Sequence, residues 1–334
     1  MTLRDEGYKV GYFKPIGLEM GRTADGAPYD EDAVLMKDAL ELRASLADIS
    51  PVILKGNYLE ETLKATSETY FQKIKEGFHR ASEGMDFVLI EGVCCSAFGA
   101  HFDLSVPQIA KSFNAKILLV SKFENDCVVD ELLREKLCVE SQEAEILGYV
   151  LNDVRPQVLQ RAKDLVVPTL GKRGLRNLGI IPWNVGLTSP TVREIHENLK
   201  GEVLACSNRL DRLVERVLVG AMTPESALSY FRRATHKAVI TGGDRSDIAL
   251  AALETDTSLL ILTGNLYPSV RVIAKADEKE IPVLLVPYDT FTTIEKVSQI
   301  SGKIKPSDSK RIELAREIVA KNVSWKEMVE SLTE

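Results

Sequence analysis

The sequence predicts an α/β protein with a doubly wound, mostly parallel sheet and a second, smaller α/β domain. Short apolar runs such as residues 86–91 recur between stretches with helical periodicity, and polar residues follow each run where it ends. Strands that are buried on both faces have few polar interruptions, so such runs are typical of parallel sheets covered by helices. The length of 334 residues also favours more than one compact domain.

The first domain is expected over residues 1–200. Residues 2–6, followed by Gly7, resemble the last turn of a helix with a glycine cap. A helix is expected over residues 59–81, and Ser189 with Pro190 is expected to start the last helix of the domain. The predicted strands are 8–14, 86–91, 116–120, 146–151 and 178–181.

The second domain is expected over residues 205–304, with a helical tail over residues 305–334. A helix should begin at Thr223-Pro224, because threonine caps and proline fits the first helical turn. Three strand, loop and helix repeats follow it. Their strands are predicted at 238–240, 259–262 and 282–286.

Composition excludes several classes of function. The net charge of -7 and the lack of a Lys/Arg cluster disfavour a nucleic-acid partner. No apolar stretch is long enough to span a membrane. The five cysteines have neither disulfide-framework nor zinc-site spacing, so they are expected to be reduced thiols. The protein is therefore expected to be cytoplasmic.

Polar residues at predicted strand ends are the candidate functional residues of the first domain, because ligands of open α/β sheets bind beyond the carboxyl ends of the strands. A lysine can neutralise phosphate, carboxylates can hold Mg²⁺, and an asparagine can pair with the edge of adenine. Each residue also has a purely structural interpretation as a solvated strand end, a turn residue or a cap. The candidates are Lys14, Asp32, Glu91, Asn152 and Asp153, with Pro182 after the fifth strand.

Four motifs in order carry a resemblance to a known family. They are Gly11-Tyr-Phe-Lys-Pro15, Val88-Leu-Ile-Glu-Gly92, Gly148-Tyr-Val-Leu-Asn-Asp153 and Gly179-Ile-Ile-Pro-Trp183. The first half of the chain thereby resembles dethiobiotin synthetases and, more closely, the similar P-loop NTPase-like domain at the front of many phosphotransacetylases. The resemblance implies ATP, ADP or AMP with Mg²⁺ as ligands. It assigns Lys14 to phosphate or substrate as the candidate catalytic residue, Asp32 and Glu91 to Mg²⁺, and Asn152, Asp153 and Pro182 to the nucleotide.

The sequence departs from that family in its phosphate-binding loop. No glycine loop followed by Lys-Ser or Lys-Thr occurs in the 334 residues, and the family's loop would precede Met1. Two explanations stay open: a polypeptide that begins further upstream, or a domain that keeps the fold as a scaffold. Without the loop and its strand, an interrupted sheet and inefficient phosphoryl transfer are expected.

The second domain has its own candidate pocket, for an anion or a nucleotide. Glycines after its strands let the backbone approach a ligand, and Arg245 is the expected charge partner. The structural alternative is tight turns, helix caps at Asp244 and Thr290, and an Asp244–Arg245 pair. The candidates are Gly242, Gly243, Asp244, Arg245, Thr263, Gly264, Asn265, Asp289 and Thr290.

This part of the chain resembles the DRTGG domain. The resemblance rests on Asp244-Arg245, Thr263-Gly264 and the closing Pro287-Tyr-Asp-Thr-Phe-Thr-Thr293. Asn265 replaces the second glycine of the motif, and asparagine tolerates the left-handed conformation that such a loop needs. DRTGG domains are usually regarded as regulatory.

These resemblances favour a regulatory or ligand-sensing protein that binds an adenine nucleotide or a related anion. The implied partner is an enzyme of acetyl metabolism, and a homodimer is expected by analogy. One alternative is an ATP- and Mg²⁺-dependent enzyme that activates a carboxylate or carbamate, if the polypeptide begins upstream. Another is a non-catalytic homodimeric assembly module.

Overall fold

A computed structural model describes residues 1–23, 26–300, 302, 304–306 and 308–333. The chain forms two compact units, Met1–Trp183 with Ile304–Glu334, and Asn184–Lys303. The expected boundaries, by comparison, were residue 200 and a separate tail from residue 305. The first unit is therefore discontinuous in sequence, with the second unit inserted between its two segments.

The first unit alternates strands and helices, numbered here along the whole chain. Its strands are β1 (Val10–Phe13), β2 (Ile16–Leu18), β3 (Gly21–Arg22), β4 (Pro28–Tyr29), β5 (Val52–Leu54), β6 (Phe87–Ile90), β7 (Ile117–Lys122), β8 (Ile146–Val154) and β9 (Asn177–Pro182). Its helices are α1 (Thr2–Asp5), α2 (Glu31–Ala39), α3 (Leu46–Ile49), α4 (Leu59–Thr62), α5 (Ser67–Ser82), α6 (Val106–Ser112), α7 (Cys127–Ser141), α8 (Pro156–Arg161), α9 (Val167–Lys172), α16 (Ser309–Asn322) and α17 (Trp325–Thr333).

Parallel strand pairs dominate the first unit, which confirms the predicted fold class. β1 pairs with β6, β2 pairs with β5, and β7, β8 and β9 form one sheet, all in parallel. Among the described strands of this unit, only the short pair β3 and β4 is antiparallel. Fully buried side chains such as Phe13, Ile74 and Tyr149 form the cores against the helices. The predicted strands at 86–91, 116–120, 146–151 and 178–181 are confirmed.

The parallel strands of the first unit fall into separate sheets, and β6 and β7 are both edge strands of their sheets. In the described part of the chain, β6 pairs only with β1, and β7 pairs only with β8. Leu89 of β6 is 47% exposed, and Leu118 and Val120 of β7 are 36% and 61% exposed. Apolar side chains of inner parallel strands are normally covered. The expectation of an interrupted sheet is therefore confirmed, and its two edges carry exposed apolar side chains.

The prediction of a single helix over residues 59–81 is wrong. The segment forms two helices, α4 and α5, because the chain leaves helical geometry before Thr66. Thr66 has an extended backbone, and its hydroxyl accepts a hydrogen bond from the Thr69 amide at 3.3 Å. This threonine is the N-cap of α5, and a cap residue must lie outside the helix that it caps.

Helices α16 and α17 belong to the first unit, whereas a separate tail was expected. Val323 forms an antiparallel bridge with Gly179 of β9, and the Ser324 amide donates to the Leu178 carbonyl at 2.7 Å. A Cβ atom on Gly179 would lie 2.6 Å from the Asn322 carbonyl oxygen, so this approach requires glycine. The tail thus provides partners for the outer edge of β9, which would otherwise be an open sheet edge.

The second unit contains one five-stranded sheet in the order β10-β14-β13-β12-β11. Only β10 is antiparallel to its neighbour in this sheet. The strands are β10 (Glu202–Ala205), β11 (Arg216–Val219), β12 (Lys237–Gly242), β13 (Thr257–Thr263) and β14 (Val283–Leu285). The helices are α10 (Val185–Thr188), α11 (Val192–Leu199), α12 (Pro224–Phe231), α13 (Ser246–Leu253), α14 (Val270–Glu278) and α15 (Thr290–Ser298).

Helices cover both faces of this second sheet. Val239 and Leu260 face a core with Ile248 and Val272, while the alternate residues of the same strands face a core with Ile195 and others of α11 and α15. This alternation explains why the strands read as uninterrupted apolar runs. The three predicted strands and the helix after Thr223 are confirmed.

The predicted cap at Ser189 and Pro190 is wrong by two residues. Thr191 is the N-cap of α11, with its hydroxyl accepting from the Glu194 amide at 3.1 Å. The Glu194 carboxylate in turn accepts from the Thr191 amide at 2.7 Å. This reciprocal capping box outweighs the preference of proline for the first helical position.

Among the described residues, no helix is long and apolar enough to cross a membrane.

Candidate functional site

The carboxyl end of β1 carries a buried cluster around Lys14. Lys14 is 4% exposed, so its interpretation as a solvated strand end is wrong. Its Nζ lies 3.0 Å from Oδ1 of Asp30, 2.5 Å from Oδ2 of Asp32 and 3.1 Å from Oε1 of Glu91. The structure therefore brings together the predicted Lys14, Asp32 and Glu91, and adds Asp30.

Local structure explains why these four residues meet. Asp30 is the N-cap of α2 and accepts from the amides of Asp32 at 3.0 Å and Ala33 at 3.3 Å. Asp32 lies in the first turn of that helix, where carboxylates favour the positive end of the helix dipole. Glu91 follows β6, and its amide donates to the Phe13 carbonyl at 2.9 Å. The β1–β6 pairing thereby holds Glu91 beside Lys14.

Tyr12 contacts the same cluster from the interior. Its hydroxyl donates to Oε2 of Glu91 at 2.6 Å, and the residue is 3% exposed. Lys14 directly follows β1 and is two positions from Tyr12, so the two side chains lie on the same side of the chain. Both oxygens of Glu91 therefore have partners, the phenol on one side and the ammonium on the other.

The electrostatics of the cluster keep both buried groups protonated. Burial alone would lower the pKa of Lys14, but its contacts with Asp32, Glu91 and Asp30 outweigh burial and hold that pKa above its ordinary value. Burial raises the pKa of Tyr12, and the adjacent Glu91 carboxylate raises it further. The cluster consequently presents a permanent ammonium and a permanent hydroxyl donor.

The carboxylates of the cluster fit a Mg²⁺ ion that also binds phosphate. Asp30 is 3% exposed and its oxygens already accept several internal hydrogen bonds, whereas the side chains of Asp32 and Glu91 are 57% and 39% exposed. Mg²⁺ in phosphate sites typically binds one or two carboxylates and completes its shell with phosphate and water. In the described ranges, no group of three or more His, Cys, Asp or Glu forms an all-protein metal cage.

Asn152, Asp153 and Pro182 lie together at the carboxyl end of β8 and β9, in a different sheet from Lys14. Asn152 is exposed, and its Oδ1 accepts from the Asp153 amide at 2.9 Å. Asp153 has a left-handed backbone with φ 55° and pairs with Lys122 at 3.4 Å. Its Oδ1 is buried and makes no hydrogen bond within the described residues. A buried acceptor without a hydrogen bond, on a residue with a left-handed backbone, is a feature found at ligand sites.

Three loops of the second unit meet at one edge of its sheet, and two of them contain glycine. The Gly264 amide donates to the Tyr288 carbonyl at 2.8 Å, and the hydroxyls of Thr263 and Thr290 lie 2.9 Å apart. A Cβ atom on Gly243 would lie 1.7 Å from the Leu266 carbonyl oxygen, so the loops interlock only with glycine there. The predicted residues of these loops are therefore brought together.

Asn265 confirms the expected loop conformation. Gly264 and Asn265 both have left-handed backbones, with φ 79° and φ 54°. Glycine adopts this region without strain, and asparagine is among the residues that tolerate it best. The asparagine at the second glycine position of the motif is thus compatible with the loop.

The structural alternative for the charged residues of these loops is partly wrong. Arg245 pairs with Asp247 at 3.0 Å and donates to the Met222 carbonyl at 3.1 Å, so the proposed Asp244–Arg245 pair does not form. Asp244 is exposed. Asp289, rather than Thr290, is the N-cap of α15, and its hydrogen bonds with Thr292 lower its pKa.

Asp30 and Tyr12 are the residues of the candidate site that the sequence analysis missed. Two signals could have identified them. Asp30 immediately precedes a helical stretch, which is the position of a capping carboxylate. Tyr12 alternates with Lys14 on a predicted strand, so its side chain had to share the face of the lysine.

The fold and the arrangement at the strand ends define a P-loop-type α/β domain followed by a smaller parallel α/β domain. Two family models match these parts: one described as an AAA domain over residues 1–191 and one described as a DRTGG domain over residues 194–300. Because the first model covers more than half of the 334 residues, the chain belongs to this AAA domain family, and it carries a DRTGG domain.

Similar proteins are phosphate acetyltransferases. That of Pseudomonas putida is 27% identical over 96% of this chain and 47% of the relative, and that of Synechocystis is 26% identical over 91% and 44%. The Escherichia coli enzyme is 23% identical over 99% and 49%. The chain spans about half the length of these relatives.

One solved structure also aligns with the chain. It contains the CBS and DRTGG domains of the regulatory region of Clostridium perfringens pyrophosphatase, complexed with the activator diadenosine tetraphosphate. The alignment covers 50% of this chain and 85% of that structure, with 21% identity and a TM-score of 0.31.

Proposed function

We propose that this chain is a regulatory module that binds an adenine nucleotide with Mg²⁺ at the carboxyl ends of β1 and β6. One observation carries this proposal: the buried ammonium of Lys14 lies within 3.1 Å of three carboxylates. Lys14 would neutralise phosphate, and Asp32 and Glu91 would hold the metal ion that bridges phosphate oxygens. When bound, Mg²⁺ supplies charge neutralisation for the phosphates.

We propose binding rather than turnover because the groups of the Lys14 cluster are a cation and metal ligands, which recognise phosphate. The DRTGG domain over residues 194–300 supports the regulatory role, since domains of this kind are usually regarded as regulatory.

The carboxylate oxygen Oδ1 of Asp153, which has no hydrogen-bond partner within the described residues, supports a nucleoside-binding site at the ends of β8 and β9. Its buried Oδ1 would gain a partner from a donor such as the exocyclic amine of adenine, and Asn152 beside it offers both a donor and an acceptor. Pro182 ends the neighbouring strand β9. We assign these three residues to the nucleoside end of the ligand.

The second unit would bind a nucleotide or a small anion at the edge where its three loops meet. The loops interlock at that edge, and Arg245 beside them would supply the positive charge for an anion. The proposed partner is an enzyme of acetyl metabolism, in line with the phosphate acetyltransferase relatives. We further propose a cytoplasmic homodimer.

Calorimetric titration with ATP, ADP and AMP, each with and without Mg²⁺, tests this function. Binding that Mg²⁺ strengthens is expected, and Lys14→Met or Glu91→Gln should reduce it by at least about tenfold. Lys73→Met, an exposed lysine in the same unit, is the matched control. Arg245→Ala should reduce only binding at the second unit.

Other outcomes distinguish the rival functions. Steady release of phosphate from ATP would favour the ATP-dependent enzyme. A dimer that binds no nucleotide would favour the assembly module. A change in the rate of acetyl phosphate formation, when the chain is added to a phosphate acetyltransferase, would support the proposed partner.

A further inference from the structure

Burial divides the Lys14 cluster into an inner and an outer part. Tyr12 and Asp30 are each 3% exposed, whereas the side chains of Asp32 and Glu91 are 57% and 39% exposed. A ligand from solvent can therefore reach the outer carboxylates, and it meets the inner pair only through them. Lys14 is buried as well, but the polar groups of Tyr12 and Asp30 are engaged by internal hydrogen bonds, and both residues contact the residues proposed as ligands.

Asp30 is fully engaged inside the protein. Its Oδ1 accepts from the Lys14 ammonium and the amides of Asp32 and Ala33, and its Oδ2 accepts from the Leu18 amide at 3.0 Å. These backbone donors fix the carboxylate, so it forms a stationary anion 3.0 Å from Lys14 Nζ. When a cation takes the outer carboxylates, Lys14 keeps this partner and stays in the site.

Tyr12 fixes the carboxylate of Glu91, as Asp30 fixes the ammonium of Lys14. Its ring packs in a core cluster with Ala33, Leu40 and Ile49, and its hydroxyl donates to Oε2 of Glu91 at 2.6 Å. Because the ring is held by packing, the hydroxyl has one position. It therefore sets the orientation of the Glu91 carboxylate and turns Oε1 toward the site.

We infer that Tyr12 and Asp30 are positioning residues for binding of a Mg²⁺–nucleotide complex. Tyr12 orients Glu91 toward the metal ion, and Asp30 retains the ammonium of Lys14 for phosphate. This inference rests on the proposed function. Partners of metal ligands typically change metal affinity by about 10–100-fold when they are removed.

The test compares the dissociation constant of ATP, by calorimetry, in Mg²⁺ and in EDTA. Tyr12→Phe should weaken binding about tenfold in Mg²⁺ and leave binding in EDTA within about twofold, because only the metal ligand loses its partner. Asp30→Asn should weaken binding in both conditions, because Lys14 loses its fixed anion. Tyr149→Phe, a buried tyrosine of β8 outside the cluster, is the matched control.

A purely structural role for Tyr12 would give a different result. Tyr12→Phe would then lower the melting temperature and leave the affinity for ATP unchanged in both conditions, which overturns the inference. If the wild type binds ATP with Mg²⁺ and Glu91→Gln weakens it, while Tyr12→Phe does not, only the positioning role fails. A wild type that binds no ATP overturns the proposed function and this inference together.

Discussion

Lys14 and Asp30 form an ion pair 3.0 Å long, with only 5% and 4% of their side chains exposed. Asp30 also caps α2, so one carboxylate joins the end of β1 to the start of that helix. The same contact therefore contributes to folding and to the geometry of the candidate site.

Removing Lys14 should destabilise the first unit. Lys14→Met leaves Asp30 buried without its cation, and loss of one partner of a buried pair typically costs about 3–5 kcal/mol. The free energy of unfolding from urea titration is the measurement. The double variant Lys14→Met with Asp30→Asn should regain part of this loss, because it leaves no unpaired charge; equal stability of the single and double variants would contradict this explanation.

Gly243 should tolerate no side chain. Gly243→Ala places a Cβ atom 1.7 Å from the Leu266 carbonyl oxygen, and we expect at least about 3 kcal/mol of destabilisation, since the backbone must move. Gly171→Ala, in α9 with open space around it, is the control and should gain up to about 1 kcal/mol. Thermal unfolding of both variants checks the prediction, and an unaffected Gly243→Ala would show that the loops do not interlock.

The exposed edge at β7 should promote self-association. Val120 is 61% exposed on an edge strand, and a charged residue there opposes edge-to-edge pairing. Val120→Lys should reduce the associated fraction seen by light scattering and keep the fold. Leu119→Lys, at a neighbouring position that is 7% exposed, should prevent folding instead. An increase in association by Val120→Lys would argue against an open edge.

Cys206 should alkylate slowly near neutral pH. Burial and, after it, the contact with Asp277 raise the pKa of its thiol to about 11. Because the thiolate is the reactive form, roughly one thiol in a thousand is reactive at pH 8, and the rate should rise steadily with pH above that. Iodoacetamide labelling followed by peptide mass spectrometry measures this rate. Asp277→Asn should accelerate it, and the exposed Cys127 provides the reagent control.

Local patterns predicted the strands and the polar residues at their ends. A strand buried on both faces must be apolar throughout. The strands around Val239 and Leu260 could therefore be predicted without knowing which strands and helices pack against them. The conformation of Asn265 was also predictable, because backbone preference depends on the residue itself. Caps were less predictable: Thr191 rather than Ser189 starts α11, since the position of Glu194 decides between neighbouring candidates.

The sequence by itself determined the class of fold, the two families and the three candidate residues Lys14, Asp32 and Glu91. Only the tertiary structure decided that Asp30 and Tyr12 complete their cluster, and that α16 and α17 return to the first unit. The physical reason is that burial and hydrogen bonding join residues far apart in the chain, such as Tyr12 and Glu91, which are 79 positions apart. Such contacts depend on how the strands and helices pack, and a local sequence pattern does not predict that packing.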